Sequence, residues 1–140
     1  MITIDANLWI YYIDRGLPEH DRVRPEIRAL LGTPLLTNTT LQMEVAHYLT
    51  RRFGPVQGGA LLDAFLAIPF RVDALDEDAG RRAMELLKRH AHLGIGGRDA
   101  TILAAMQRHG STELWTHDDA LKRVPGVTVS DPVEKARPKS

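Results

Sequence analysis

Cysteine is absent from the 140-residue chain, which removes disulfides, zinc–thiolate centres and cysteine nucleophiles from consideration. Serine is scarce: Ser111, Ser130 and Ser140 are all there are. None stands in the Gly-x-Ser-x-Gly setting that presents a nucleophilic hydroxyl. No apolar run approaches the span of a membrane helix. The first residues lack a basic segment followed by an apolar one, so no signal peptide is expected and a cytoplasmic address fits. An excess of charge is missing as well. Eighteen basic side chains balance eighteen acidic ones, whereas a general nucleic-acid binder is usually strongly basic. The basic residues do gather at Arg51-Arg52, Arg81-Arg82, Lys88-Arg89 and Lys122-Arg123; each pair reads first as a solvated helix face, and a local patch could still meet phosphates.

What is present is the composition of an ordinary globular domain, of a length that fits one core. "MITI" reads as a short buried strand and "NLWIYYID" as the helix after it. Pro25 suits the first turn of a helix "PEIRALLG" ended by Gly32. "PLLT" is a second strand. Asn38 or Thr39 caps the helix "TTLQMEVAHYLTRRF", closed by Gly54-Pro55. A further helix covers "ALLDAFLAI", and "FRVDAL" is a third strand. Asp76, Glu77 and Asp78 open "AGRRAMELLKRHAH", with acids at its start and bases at its end as the helix dipole prefers. "RDATILAAMQRH", the strand "TELWT" and a last strand at "VTV" follow. Short strands alternating with helices predict an α/β fold: a three-layer α/β/α domain with a short, mostly parallel sheet over residues 1–132, then a flexible tail over 133–140.

In open sheets of this kind, ligands bind beyond the carboxyl ends of the strands. Asp5 and Asp118 stand at two such ends. Two further acids lie on the wrong faces of their helices. At 100° per residue, Leu41, Glu44, Val45, Tyr48 and Leu49 fall within an arc of roughly 140°, so Glu44 shares the apolar stripe. Asp99, Ile102, Leu103 and Met106 fall within about 100°. Each acid alone has an ordinary explanation as a helix cap, a turn former or a snorkelling side chain. The set of four is harder to dismiss. Two carboxylates about 4 Å apart repel by something like 4 kcal/mol at an effective dielectric near 20. A shared proton or a hard divalent cation relieves that. Mg²⁺ and Mn²⁺ favour carboxylate oxygens and water, with substrate phosphates completing the shell. "LGIGGR" lacks the Lys and Ser/Thr of a phosphate-binding loop. The chemistry indicated is metal-assisted attack of water on a phosphodiester.

The order "IDAN", then Glu44 in "LQMEVAH", Asp99 in "GRDATILAAM" and finally "LWTHDDALKRVPGVTV" resembles the PIN-domain ribonucleases. The branch it looks most like is that of the VapC-type toxins of bacterial toxin–antitoxin pairs. The likeness runs from Met1 to about Pro132. Carried over by position, Asp5, Glu44, Asp99 and Asp118 match the four acids, with Asn7 at the small polar position after the first and Thr116 in the Thr-x-Asp element. The resemblance implies one or two Mg²⁺ or Mn²⁺ ions held by these acids, Thr116 and Asn7 orienting carboxylates or water, and cleavage of single-stranded regions of RNA. It also implies a homodimer and an antitoxin whose tail enters the acidic groove. One position departs from the pattern: Leu121 stands where many relatives carry Phe. Asp119 beside Asp118 leaves the fourth ligand open; Asp118 keeps the Thr-x-Asp spacing, and Asp119 reads as a helix-start acid. His117 reads as a solvent-facing loop histidine. Trp9, Tyr11 and Tyr12 either stack on bases or pack. The competing readings are a non-catalytic PIN-like module that holds RNA or protein, and a phosphate-transferring α/β domain. Asn7 stands where the dehalogenase type of the latter needs a second Asp.

Overall fold

A computed structural model describes residues 1–135 of the chain. Five short strands, β1 (Ile2–Ile4), β2 (Leu35–Asn38), β3 (Arg71–Asp73), β4 (Glu113–Trp115) and β5 (Thr128–Ser130), form one sheet in the order β3-β2-β1-β4-β5. Every pairing is parallel. Among the described residues six α-helices flank it: α1 (Ala6–Ile13), α2 (His20–Leu30), α3 (Thr39–Leu66), α4 (Glu77–His90), α5 (Gly97–Arg108) and α6 (Pro132–Lys135). This is the expected three-layer α/β/α arrangement. No helix among the described residues is long and apolar enough to cross a membrane.

The central strands β2, β1 and β4 are mostly buried, whereas the edge strands β3 and β5 are largely open to solvent. Ile4, Leu36 and Leu114 are almost wholly buried at the centre of the sheet, joined by Leu41, Val45 and Leu49 from α3. Each such side chain contributes roughly 1.5–3 kcal/mol by leaving water. Trp9, also fully buried, meets Phe65 and Phe70 edge-on with ring centroids 5.2 and 5.4 Å away. That indole belongs to the core and is closed to a nucleobase; Tyr11 and Tyr12 pack partly against the same core.

From β1 the chain steps outward to β2 and β3, then crosses back to place β4 on the other side of β1. The strand order therefore reverses between β1 and β4, whose registered pairs are Ile2 with Glu113 and Ile4 with Trp115. Beyond their carboxyl ends the main chains diverge, and a crevice opens there.

Three boundaries differ from the sequence reading. α2 begins at His20, five residues before Pro25, which lies inside it. The His20 ring Nδ1 donates to the Tyr11 carbonyl at 2.8 Å, and Val23 and Ile27, one turn apart, are fully buried. Those contacts hold the first turn in place despite the donor that proline lacks. In α3 the chain does bend at Gly54, whose φ of 81° is left-handed. The second arm then starts at once rather than at Ala60 and packs back so closely that a Cβ on Gly58 would overlap the Leu49 carbonyl. At the C-terminus, the tail expected from 133 starts too early: Val133 is buried within α6. The rest of that segment, 136–140, lies outside the described residues.

Candidate active site

Asp5 follows β1 directly and opens α1. Its backbone N–H donates to the Trp115 carbonyl at 2.8 Å, so the adjoining strand fixes the residue in place. Asp5 Oδ1 accepts the Ala6 N–H at 2.7 Å, and Oδ2 accepts the Thr116 hydroxyl at 2.7 Å. Thr116 itself has no exposed surface and follows β4, with its N–H donated to the Ser130 carbonyl at 3.0 Å. Its Oγ1 accepts the Asp118 N–H at 3.0 Å. One threonine hydroxyl thus ties the first acid to the backbone of the fourth.

The other acids arrive on helices. Asn38 caps α3 by accepting the Leu41 N–H at 2.7 Å, and this start sets the rotation that turns Glu44 inward. In α5, Asp99 is the third helical residue and its Oδ2 accepts the Gly96 N–H at 3.2 Å. That bond satisfies one of the free N–H groups at the helix start; Gly96, having no side chain, returns none. Asp118 Oδ1 accepts the Ala120 N–H at 2.8 Å. Asp5, Asn7, Glu44, Asp99 and Asp118 line one open cleft of about 440 Å³.

The electrostatics of the four carboxylates are connected. Burial pushes Asp5 up to about 6, against the pull of its two hydrogen bonds, and the charges of Asp99 and Glu44 push the same way. Glu44 is raised by burial, opposed by Arg98 and reinforced by Asp99. Asp99 is raised by burial too, with Asp118 adding to it. Folding has gathered negative charge where it is hard to hold, a pattern common at functional sites. The donors are all oxygen, the class that hard divalent cations take. Asn7 adds a buried side-chain oxygen that has no hydrogen-bond partner among the described residues. Residues and cation fit each other.

Asp119, the competitor for the fourth position, points away. It is exposed and 3.3 Å from Lys122 Nζ. His117 differs from the solvent-facing loop residue expected: it is half-buried, with its Nδ1 2.7 Å from Asp131. It lies outside the cleft lining. His117, Asp131 and Glu134 together could offer three metal-ligating atoms, but Lys122 Nζ already contacts Asp131 at 2.7 Å.

The cleft also holds residues that the sequence reading did not single out for it: Tyr48, His47, Arg51 and Arg98. Tyr48 donates its hydroxyl to the buried Asp14 at 2.6 Å. Burial and that carboxylate push the phenol up to about 12, so it remains a donor. Arg98 reaches Glu44 at 2.6 Å. A signal for Arg98 was available in its position, since a cation in the first turn of a helix opposes the helix dipole.

The family model of the PIN domain matches residues 2–127. Ribonuclease VapC23 of Mycobacterium tuberculosis is 32% identical over 127 residues, covering 86% of this chain and 95% of that protein. Among solved structures, the sarcin-ricin loop cleaving toxin VapC20 of Mycobacterium tuberculosis superposes with a TM-score of 0.74 at 23% identity, over 87% of this chain and 93% of that one. VapBC2 from Rickettsia felis, bound to a DNA fragment from its promoter, gives 0.73 at 18% identity, over 94% and 98%. The chain belongs to the PIN-domain family, in its VapC-type branch.

Proposed function

We propose that the chain is a Mg²⁺- or Mn²⁺-dependent endoribonuclease, the toxin of a toxin–antitoxin pair, cutting single-stranded regions of RNA. The observation that carries this reading is the convergence of Asp5, Glu44, Asp99 and Asp118 on one open cleft at the switch in strand order, with three of the four raised in pKa. The names of its relatives support the same chemistry: one is a ribonuclease, another a toxin that cleaves the sarcin-ricin loop, and a third a toxin–antitoxin complex from Klebsiella pneumoniae.

In this reading Asp5 and Asp99 hold the cation, with Glu44 and Asp118 completing its surroundings. When bound, such a cation lowers the pKa of a water and stabilises charge on the scissile phosphate. The chain's own groups do the positioning. Thr116 keeps one oxygen of Asp5 in a fixed direction through its 2.7 Å bond. Gly96 does the same for Asp99, leaving that residue's second oxygen for the cleft. Asn7 offers its unpartnered oxygen to a bound water or cation. An RNA substrate puts the work in the cytoplasm. The partners proposed are a cognate antitoxin and a second copy of the chain.

Cleavage of a single-stranded RNA by the purified full chain tests the proposal. Activity should require Mg²⁺ or Mn²⁺ and vanish in EDTA. Asp5→Asn and Asp99→Asn should each lower it by about 100-fold or more while circular dichroism stays unchanged. RNA binding without cleavage at any metal concentration would instead favour the non-catalytic module.

A further inference from the structure

Arg98 is the second residue of α5, which begins at Gly97. A cation there works against the helix dipole, so helix stability does not explain it. Its guanidinium Nη1 lies 2.6 Å from Glu44 Oε1, and the two side chains are unequally held. Glu44 is only 19% exposed, whereas Arg98 is 75% exposed. One partner is fixed in the wall of the cleft and the other reaches in from solvent. An arginine so exposed can leave at little cost, because an ion pair in contact with water contributes at most about 1 kcal/mol. Its planar fork also matches phosphate oxygens.

We propose that Arg98 is a movable positioning residue of the cleft, serving as the counter-ion of Glu44 while no divalent cation is bound and as a hold on an RNA phosphate once a cation has taken Glu44. The inference rests on the metal-dependent reading above and deepens it. In the first state Arg98 offsets part of the repulsion among the four acids, which lets the empty site persist in the fold. In the second its charge is released beside the acids, in the lining of the same cleft. Cation and substrate are thereby coupled: the cation competes with Arg98, and its binding frees the group that grips the backbone.

Titration calorimetry with Mn²⁺ on the full-length protein tests the first half. Arg98→Ala should bind Mn²⁺ about fivefold more tightly than the parent protein, the most that one exposed ion pair is expected to withhold. The gain should disappear in a Glu44→Gln background, because the two residues act on each other. Arg51→Ala removes an exposed charge from the same cleft that makes no ion pair with an acid among the described residues, and should change Mn²⁺ affinity less. Steady-state cleavage tests the second half. Arg98→Ala should raise KM more than it lowers kcat and should reduce the salt dependence of RNA binding by about 0.7 in logarithmic slope, the share of one phosphate contact. Arg98→Lys should restore the slope. Unchanged or weaker Mn²⁺ binding in Arg98→Ala would overturn the counter-ion role, and an unchanged salt slope would overturn the phosphate role. If neither the parent nor Arg98→Ala takes up Mn²⁺, both the metal-dependent reading and this inference fall. If Asp5→Asn abolishes uptake but Arg98→Ala leaves it unaltered, only the inference does.

Discussion

Asp5 titrates at about 6 in the folded chain, against an ordinary value of 3.8. Between those values the folded state holds a proton that the unfolded chain has lost. The contribution of Asp5 to stability is therefore fully present below pH 3.8 and fades as pH rises through 6, by on the order of 3 kcal/mol. In metal-free buffer the melting temperature of Asp5→Asn should vary less between pH 4 and 6 than that of the parent, which differential scanning calorimetry would reveal. The same proton competes with a cation, so Mn²⁺ affinity should weaken as pH falls below 6. Thr116 is open to a sharper substitution. Thr116→Val keeps the shape but removes the hydroxyl shared by Asp5 and the Asp118 N–H. A loss of about 1–3 kcal/mol in denaturant unfolding is expected, together with a further rise in the Asp5 pKa readable by NMR titration.

At the level of elements, α3 is the part whose form depends most on single residues. Gly58 faces the Leu49 carbonyl with no space for a methyl group, while its neighbour Gly59 has nothing within 4 Å. Gly58→Ala should destabilise the protein by about 1–3 kcal/mol through overpacking, and Gly59→Ala should stabilise it by up to about 1 kcal/mol as a better helix former. Chemical denaturation of the two variants checks the pair. Glu44 was legible on this helix because a 100° step is enough to put it on the apolar stripe with Leu41, Val45 and Leu49. Asp5 was legible because it directly follows an apolar strand, and Asp118 because it stands three residues beyond the end of another. The start of α2 was not, since Pro25 is so strong a local boundary signal and the His20 bond that outweighs it reaches back nine residues to Tyr11. The Arg98–Glu44 pair was also hidden: helical arithmetic tells which face a residue occupies and says nothing of what stands opposite. The back-packing of the second arm of α3 depends on a backbone contact that leaves no mark in apolar spacing.

At the scale of the whole molecule, Met43 and Val56 stand 70% and 87% exposed on the two arms of α3. They are the positions at which the homodimer proposed above is tried first. Sedimentation equilibrium should give twice the 15.6 kDa of one chain, and Met43→Asp with Val56→Asp should return it to the single-chain mass. The sheet itself has a consequence in time. Ile2 and Ile4 lie beside Glu113 and Trp115, more than a hundred positions further along. Asp5 must therefore wait for Thr116, made 111 residues later, before its side chain gains the hydroxyl partner. Until then the cleft lacks Asp118, and the set of four carboxylates that line it is incomplete.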